Sequence, residues 1–351
     1  MNGLRTGSIV LVTALLAAVT LPVTTAAQAP AVPRLPAPIT VKVGGAKGSL
    51  SGAGIYVGVH KGYFQESGIT VEFVPLPSFN QLLPPLATGE LDLASAGPSA
   101  ALFSAVERGV KLRIVADQNT AFPGRASIGL MVRKDLIDSG QVKTFADLKG
   151  RTFALAARRA SLELDLLKVL KMGGLTINDI KLVTMPFPQM NAAFGGKTID
   201  ACFQLEPLVT AAVTRGLAVR FKGHDEITPN RQNGFLVMSE HFAAKRDAAR
   251  AFMVAYLRGV RDYNDAVLKG QGRDTIIQAL MQFTTVQDRA TYDRMTWPGI
   301  HPDGELNVDS IREALGEFRA AGDVKTDINL DQVIDMSFMR HAQQIVGPSR
   351  R

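Results

Sequence analysis

From Ile39 onward the chain alternates short β-rich runs with helical stretches, and no other feature constrains its fold as strongly. The β-rich runs Ile39–Val43, Thr70–Val74, Leu91–Ser95 and Leu112–Ala116 enclose helical patterns at Gly52–Ser67, Asn80–Thr88 and Pro98–Arg108. A second series places strands at Ile128–Val132, Thr152–Ala156, Lys181–Met185, Ile199–Phe203 and Ala218–Phe221, with helices at Ser161–Met172, Gln189–Phe194 and Leu208–Thr214. Alternation of this kind predicts an α/β fold with parallel strands and crossover helices. After a strand at Phe235–Met238 the pattern turns helical, at Ala243–Leu268, Thr275–Phe283, Val286–Arg294, Val308–Ala320 and Asp331–His341.

The two series rhyme. In the first, Thr88-Gly89-Glu90-Leu91-Asp92 leads into a strand, and Gly97-Pro98 opens a helix closed by Arg108-Gly109. In the second, Gly195-Gly196-Lys197-Thr198-Ile199-Asp200 leads into a strand, and Glu206-Pro207 opens a helix closed by Arg215-Gly216. Proline at a helix start and glycine after its end are the favoured end signals. Two similar α/β units are expected, against the plainer reading that any strand-turn-helix unit looks this way. The 351 residues also exceed what one core usually spans. Loop formers dominate Asn119–Arg125 and Thr228–Gly234. The chain therefore leaves one lobe, builds another and returns, which puts lobe 1 at 39–121 and 235–351 and lobe 2 at 122–234. Two crossings suit a hinge.

The region ahead of Ile39 reads differently. Arg5, the apolar run Ile9–Val23 and the small residues Thr24–Ala29 have the order of an export signal, with cleavage expected after Ala27. That run is shorter than the roughly 20 residues a membrane-spanning helix needs. Residues 28–38, with prolines at 30, 33, 36 and 38, read as a stiff leader. Cys202 is the one cysteine; it cannot form an internal disulfide, and its apolar surroundings make it a small buried hydrophobe. The five histidines stand far apart without cysteine or carboxylate at ligand spacing, so no metal is expected. A net charge of +7 is spread along the chain instead of forming a basic stripe with stacking aromatics, which argues against nucleic acid as a partner. Gly48-Ser49-Leu50-Ser51-Gly52 lacks the Gly-Lys-Ser/Thr of a phosphate-binding loop, and no cofactor is expected.

Ligands of open α/β sheets bind at the carboxyl ends of strands, where helix N-termini offer free N–H groups. Four junctions qualify: Gly45–Gly52, Ala96–Ser99, Ala157–Ser161 and Gln204–Pro207. They supply Ser49, Ser51, Gly52, Gly97, Ser99, Arg158, Ser161, Gln204 and Glu206 as candidates, with Ser99 expected in the first helical turn. Phe79 and Phe122 are either core or stacking groups for a planar ligand, and Phe79 is retained. Asn119 and Asn233, in the two crossing segments, complete the set. Each polar candidate has a plainer role. The serines are either ligand contacts or N-caps, Arg158 either a ligand cation or a solvated charge, and Glu206 either a contact or a helix cap. No Ser-His-Asp arrangement can be defended by spacing, so no catalytic residue is assigned.

Four segments carry a resemblance: Ser51-Gly52-Ala53-Gly54-Ile55-Tyr56-Val57, Lys61-Gly62-Tyr63-Phe64, Gly68-Ile69-Thr70-Val71-Glu72 and Leu86-Ala87-Thr88-Gly89-Glu90-Leu91-Asp92-Leu93. From about Ile39 to Leu268 the chain resembles the periplasmic substrate-binding proteins of the sulfonate, nitrate and taurine group, related to the NMT1/THI5-like domain. The resemblance implies a type II periplasmic-binding-protein fold, with two α/β lobes, a two-crossover hinge and a helical C-terminal part. It implies ligand-lining positions near Ser51, Ser99, Ser161 and Glu206. The chain departs from the family at Leu205, where an aromatic often precedes Glu-Pro. The expected function is a periplasmic solute-binding component of an ABC importer, a monomer whose partners are a small-molecule ligand and the permease. Helix N-termini, serines and Arg158 favour an organic acid, a sulfonate or carboxylate with or without an aromatic ring. An uncharged heterocycle, such as a pyrimidine or vitamin precursor, stands second. THI5-like enzymes share the fold but are intracellular and use a cysteine-rich segment, which one cysteine and an export signal argue against.

Overall fold

The computed structural model describes Gly3 and residues 32–46, 49–76 and 79–349. The export signal expected at 1–27 and residues 28–31 of the leader lie outside the described residues. The end of the leader is docked on the fold, where the Leu35 N–H donates to the Ser67 carbonyl at 3.1 Å. No helix among the described residues is long and apolar enough to cross a membrane.

Strands form where β-branched and apolar residues cluster. They are β1 (Ile39–Ala46), β2 (Ile69–Leu76), β3 (Leu93–Ala96), β4 (Leu112–Thr120), β5 (Ile128–Arg133), β6 (Thr152–Leu155), β7 (Lys181–Thr184), β8 (Ala201–Leu205), β9 (Ala218–Gly223) and β10 (Gln232–Ser239). They build two five-stranded sheets, in the orders β2-β1-β3-β10-β4 and β7-β6-β8-β5-β9. Position for position the sheets match. β1 is parallel to β2 and β3, as β6 is to β7 and β8, while β10 and β5 each run antiparallel between two neighbours. The expected parallel arrangement therefore holds for three strands of each sheet and gives way at the fourth. β5 and β10 enter their sheets from a crossing, without a full crossover helix to turn the chain back. Both carry unbroken apolar runs, Gly129–Val132 and Phe235–Met238, and both runs are buried. This is the pattern of a strand covered on two faces.

The rhyme in the sequence has a structural counterpart. The Asp92 carboxylate accepts from the Lys42 N–H at 2.9 Å, and the Asp92 N–H donates to the Lys42 carbonyl at 3.0 Å. Asp200 does the same with Thr152, at 2.8 Å in both directions. Each aspartate thus closes the start of a parallel strand pair. Their carbonyls accept from equivalent residues too, Ser239 for Asp92 and Arg133 for Asp200, both at 2.9 Å.

The crossings lie side by side, since the Ala121 N–H donates to the Arg231 carbonyl and the Asn230 N–H to the Ala121 carbonyl, both at 2.9 Å. They are shorter than the loop-rich stretches suggested. β4 runs on to Thr120 and β10 starts at Gln232, because buried Asp117 satisfies the polar residues there. Its carboxylate accepts from the Asn119 N–H at 2.9 Å, Thr120 Oγ1 at 3.1 Å, Gln232 Nε2 at 2.6 Å and the His301 N–H at 2.6 Å.

Helices cover both sheets. The expected helix Ala243–Leu268 divides into Glu240–Ala244 and Arg246–Lys269 around Lys245. The longer one lies against Ala53–His60. A side chain on Gly259 would fall inside contact distance of the Gly54 backbone, so glycine there permits the close approach. The last helix spans Ser337–Val346 instead of Asp331–His341. Asp335 caps it through the Ser337 N–H at 3.0 Å, while the preceding segment pairs with β4 through an Ile114–Ile334 bridge.

Candidate functional site

A cavity of about 170 Å³ lies between the carboxyl ends of the two sheets. Ser49, Ser51, Gly97 and Ser99 reach its wall from the first lobe, Asn119 and Asn233 from the crossings, and Ser161 from the second lobe. Four other candidates, Gly52, Gln204, Glu206 and Arg158, lie elsewhere. Gly52 is buried beneath the Tyr56 ring. Gln204 sits behind the wall, its Nε2 donating to the Phe187 carbonyl at 2.9 Å and to Asn191 Oδ1 at 3.1 Å. Glu206 accepts from the Thr210 N–H and hydroxyl, both at 2.9 Å, and from the Thr296 N–H at 3.3 Å, so it caps its helix and ties down the segment beyond it. Burial pushes its pKa up against those hydrogen bonds. Arg158 pairs with Glu163 at 2.7 Å and is half exposed. Phe79 opens the helix Phe79–Thr88, and its side chain lies outside the described residues.

Among the wall residues that sequence reasoning missed are Asn80, Ser95, Ile128, Ala156, Leu162 and Phe187. Asn80 and Phe187 sit at the starts of equivalent helices, after β2 and after β7. The internal repeat was the available signal, because it maps the first residue of one helix, Phe79, onto the first residue of the other, Phe187. Leu205, where the family often has an aromatic, is also on the wall.

The serines have capping roles as well as wall positions. Ser49 Oγ accepts from the Ser51 N–H at 3.1 Å and donates to Ser51 Oγ at 3.0 Å. Ser99 is the N-cap of Ala100–Glu107, outside the first turn where it was expected, and its Oγ accepts from the Leu102 N–H at 3.2 Å. Ser161 is the first residue of Ser161–Met172. The helix-start amides expected to be free are partly spent across the cleft. The Ala100 N–H donates to the Arg159 carbonyl at 3.0 Å, and the Ser161 N–H to the Pro98 carbonyl at 3.1 Å. Ser99 and Ala160 form an antiparallel bridge between the lobes. Arg159, at φ 54°, adds an ion pair to Asp323 at 3.1 Å. The cleft is bridged in this conformation.

Electrostatically the wall is bare. Among the described residues no lysine, arginine, aspartate, glutamate or histidine lines the cavity. Charge lies one layer behind it. Asn233 Nδ2 is 3.0 Å from His224 Nδ1, and His224 Nε2 is 2.8 Å from Asp165, whose other oxygen faces Arg231 at 3.6 Å. His224 and Asp165 are fully buried. Asn119 Nδ2 donates to Ser127 Oγ at 3.1 Å. The remaining amide oxygens of Asn119 and Asn233 are buried without a hydrogen-bond partner among the described residues. No cluster of three or more potential metal ligands occurs among the described residues, and burial raises the Cys202 thiol pKa.

Two lobes of matching strand order, paired crossings and a cavity walled from both sides define a type II periplasmic-binding-protein fold. Residues 50–265 match the family model described as NMT1/THI5 like, and the chain belongs to that family. The alkanesulfonate-binding protein SsuA from Xanthomonas axonopodis pv. citri, solved bound to MOPS, aligns with a TM-score of 0.67 at 20% identity, over 85% of this chain and 99% of its own. The ligand-binding component of an ABC-type import system from Staphylococcus aureus aligns at 0.71 and 16%, over 87% and 99%. The periplasmic nitrate-binding protein NrtA from Synechocystis PCC 6803 aligns at 0.72 and 15%, over 88% and 89%. At such identities the likeness establishes the fold. Among curated proteins no sequence relative matches.

Proposed function

We propose that the chain is the solute-binding component of an ABC importer, exported through a cleaved signal at 1–27 and working in the periplasm as a monomer. It traps a small organic molecule between lobe 1 (39–121 with 235–351) and lobe 2 (122–234), without chemical turnover. The observation that carries this reading is a cavity walled by both lobes and bridged by backbone hydrogen bonds between Pro98–Ala100 and Arg159–Ser161. The paired crossings serve as the hinge. Ligand contacts with the second lobe favour the bridged form over an open one, and only such differential contacts can shift that balance. The permease then meets the bridged form.

The named ligands of the solved neighbours, a sulfonate and nitrate, support the organic acid expected from sequence. A wall without charged side chains among the described residues favours the second class, an uncharged molecule with an apolar body and a polar edge. A thermal-shift screen of the mature protein against sulfonates, carboxylates and uncharged heterocycles tests the reading. Stabilisation by at least one class is expected. A flat response across all three, or chemical conversion of a compound that binds, overturns it.

A further inference from the structure

We propose that the two lobes divide the selection of the ligand. The first lobe takes a polar head that carries acceptor atoms, and the second lobe closes over a compact apolar body whose size Phe187 reads. This rests on the solute-binding reading and deepens it, naming a small amphiphile as the ligand class and the lobe that meets each of its parts.

The wall is polar on one side and apolar on the other. Ser49, Ser51, Asn80, Ser95 and Ser99 line it from the first lobe. From the second lobe come Ile128, Leu162, Phe187, Leu205 and three alanines, with Ser161 the single hydroxyl there among the described residues. Leu162 and Leu205 pack against one core cluster of that lobe and Phe187 against the other, and all three stay partly exposed. On the polar side, Ser51 Oγ accepts from Ser49 and Ser99 Oγ from the Leu102 N–H, and neither hydroxyl proton has an acceptor among the described residues. The side chains of Asn80 and Ser95 make no hydrogen bond at all among them. Asn80 is exposed, and Ser51 and Ser95 are partly so, which leaves their donors within reach of a ligand. Ser161 belongs with this side, because its Oγ lies 4.0 Å from where a Cβ on Gly97 would stand.

Donors of this kind exchange water for ligand at a small net gain, whereas removing apolar surface from water gains in proportion to its area. The apolar side meets the polar side in the bridged form, where Pro98–Ala100 pair with Arg159–Ser161. Burial of the ligand's body is therefore the differential contact that favours that form. Phe187 is the largest side chain of the apolar side, and it is held at its helix start by Gln204 Nε2 on its carbonyl at 2.9 Å. It thereby sets the room left for the body. The volume of about 170 Å³ suits one substituted ring, since an engineered cavity of about 150 Å³ takes benzene.

A series with one head and a growing body tests the division by calorimetry on the mature protein. Propionamide, isobutyramide, pivalamide and benzamide form one series, and the matching carboxylates form another with the same bodies. In whichever series binds, each methyl added up to the pivalyl body should tighten binding about fourfold, which is about 0.8 kcal/mol, and make the heat-capacity change more negative. Phe187→Ser should bring that step below about twofold, and Phe187→Leu should restore part of it. Ser51→Ala combined with Ser95→Ala should leave the step as it is and shrink the preference for the benzene-ring member over toluene about fivefold. Both readouts are ratios, which a general loss of rigidity leaves unmoved. An affinity indifferent to body size, or a step that survives Phe187→Ser, overturns the proposal and leaves solute binding standing. Loss of the step in the serine variant, with the head preference intact, overturns it too. Binding of neither series refutes the amphiphile for this cavity, and the broader sulfonate, carboxylate and heterocycle screen then decides whether solute binding falls as well.

Discussion

The bridge across the cleft can be broken without touching the cavity wall, by Ala100→Pro. Ala100 is the first residue of its helix, so its N–H has no intrahelical role and is spent on the Arg159 carbonyl at 3.0 Å. Proline is favoured at that helix position. The residue before it, Ser99, stands at φ −154° and ψ 151°, the extended conformation a residue preceding proline requires. The ring would replace the N–H with a methylene facing Arg159. The bridged form then loses one hydrogen bond, about 1 kcal/mol net, and leaves an unpaired carbonyl costing about another 1 kcal/mol. A total of about 2 kcal/mol, all in the bridged form, lowers its population relative to the open form about thirtyfold. Calorimetry with any compound that stabilises the wild type should show affinity weakened by up to that factor, while far-UV circular dichroism shows the helix retained. Wild-type affinity in a folded Ala100→Pro protein would refute the reasoning, because the bridge would then contribute nothing to capture.

Other substitutions separate wall from surroundings. Arg158→Ala should change ligand affinity less than about threefold, because the guanidinium is half exposed and paired with Glu163, and such pairs contribute about 0–1 kcal/mol; a tenfold loss by calorimetry would return it to the ligand. Gly97→Ala should weaken binding at least about tenfold, since the new methyl would press on the Asn233 backbone carbonyl of the neighbouring strand and displace the wall there; calorimetry again decides. Burial raises the Asp117 pKa to about 6, so between about pH 4 and 6 the folded chain holds a proton that the unfolded chain has released. Its contribution to stability therefore falls as pH rises through that window and is level above it. Urea unfolding at both ends should show a larger fall for wild type than for Asp117→Asn. Cys202 is fully buried with its thiol pKa raised, so Ellman's reagent should react with it only after unfolding.

Where local chemistry decides an element, the sequence showed it. Ser161–Met172, Leu208–Thr214 and Val308–Ala320 have the expected bounds, each with an apolar face and clear end signals. Where a distant partner decides, composition misled. Asn119, Thr120 and Gln232 look like loop, yet they extend strands because Asp117 and the His301 segment gather their polar groups. The same divide runs through the candidate site. Serines at strand-to-helix junctions reach the cavity because topology alone puts those junctions together. Arg158 sits at such a junction and turns away, and the reason was in view, an acid at Glu163 one turn along the helix it precedes. The His224–Asp165 pair, separated by 59 positions, had no such local sign. Phe187 lies between these cases. Nothing around it marks a site, but the two halves fold to one plan, with Asp92 and Asp200 as matching closures, and that plan makes Phe187 the positional counterpart of Phe79, each the first residue of its helix. An internal repeat is therefore worth more than a motif here, because a candidate found in one half names its counterpart in the other.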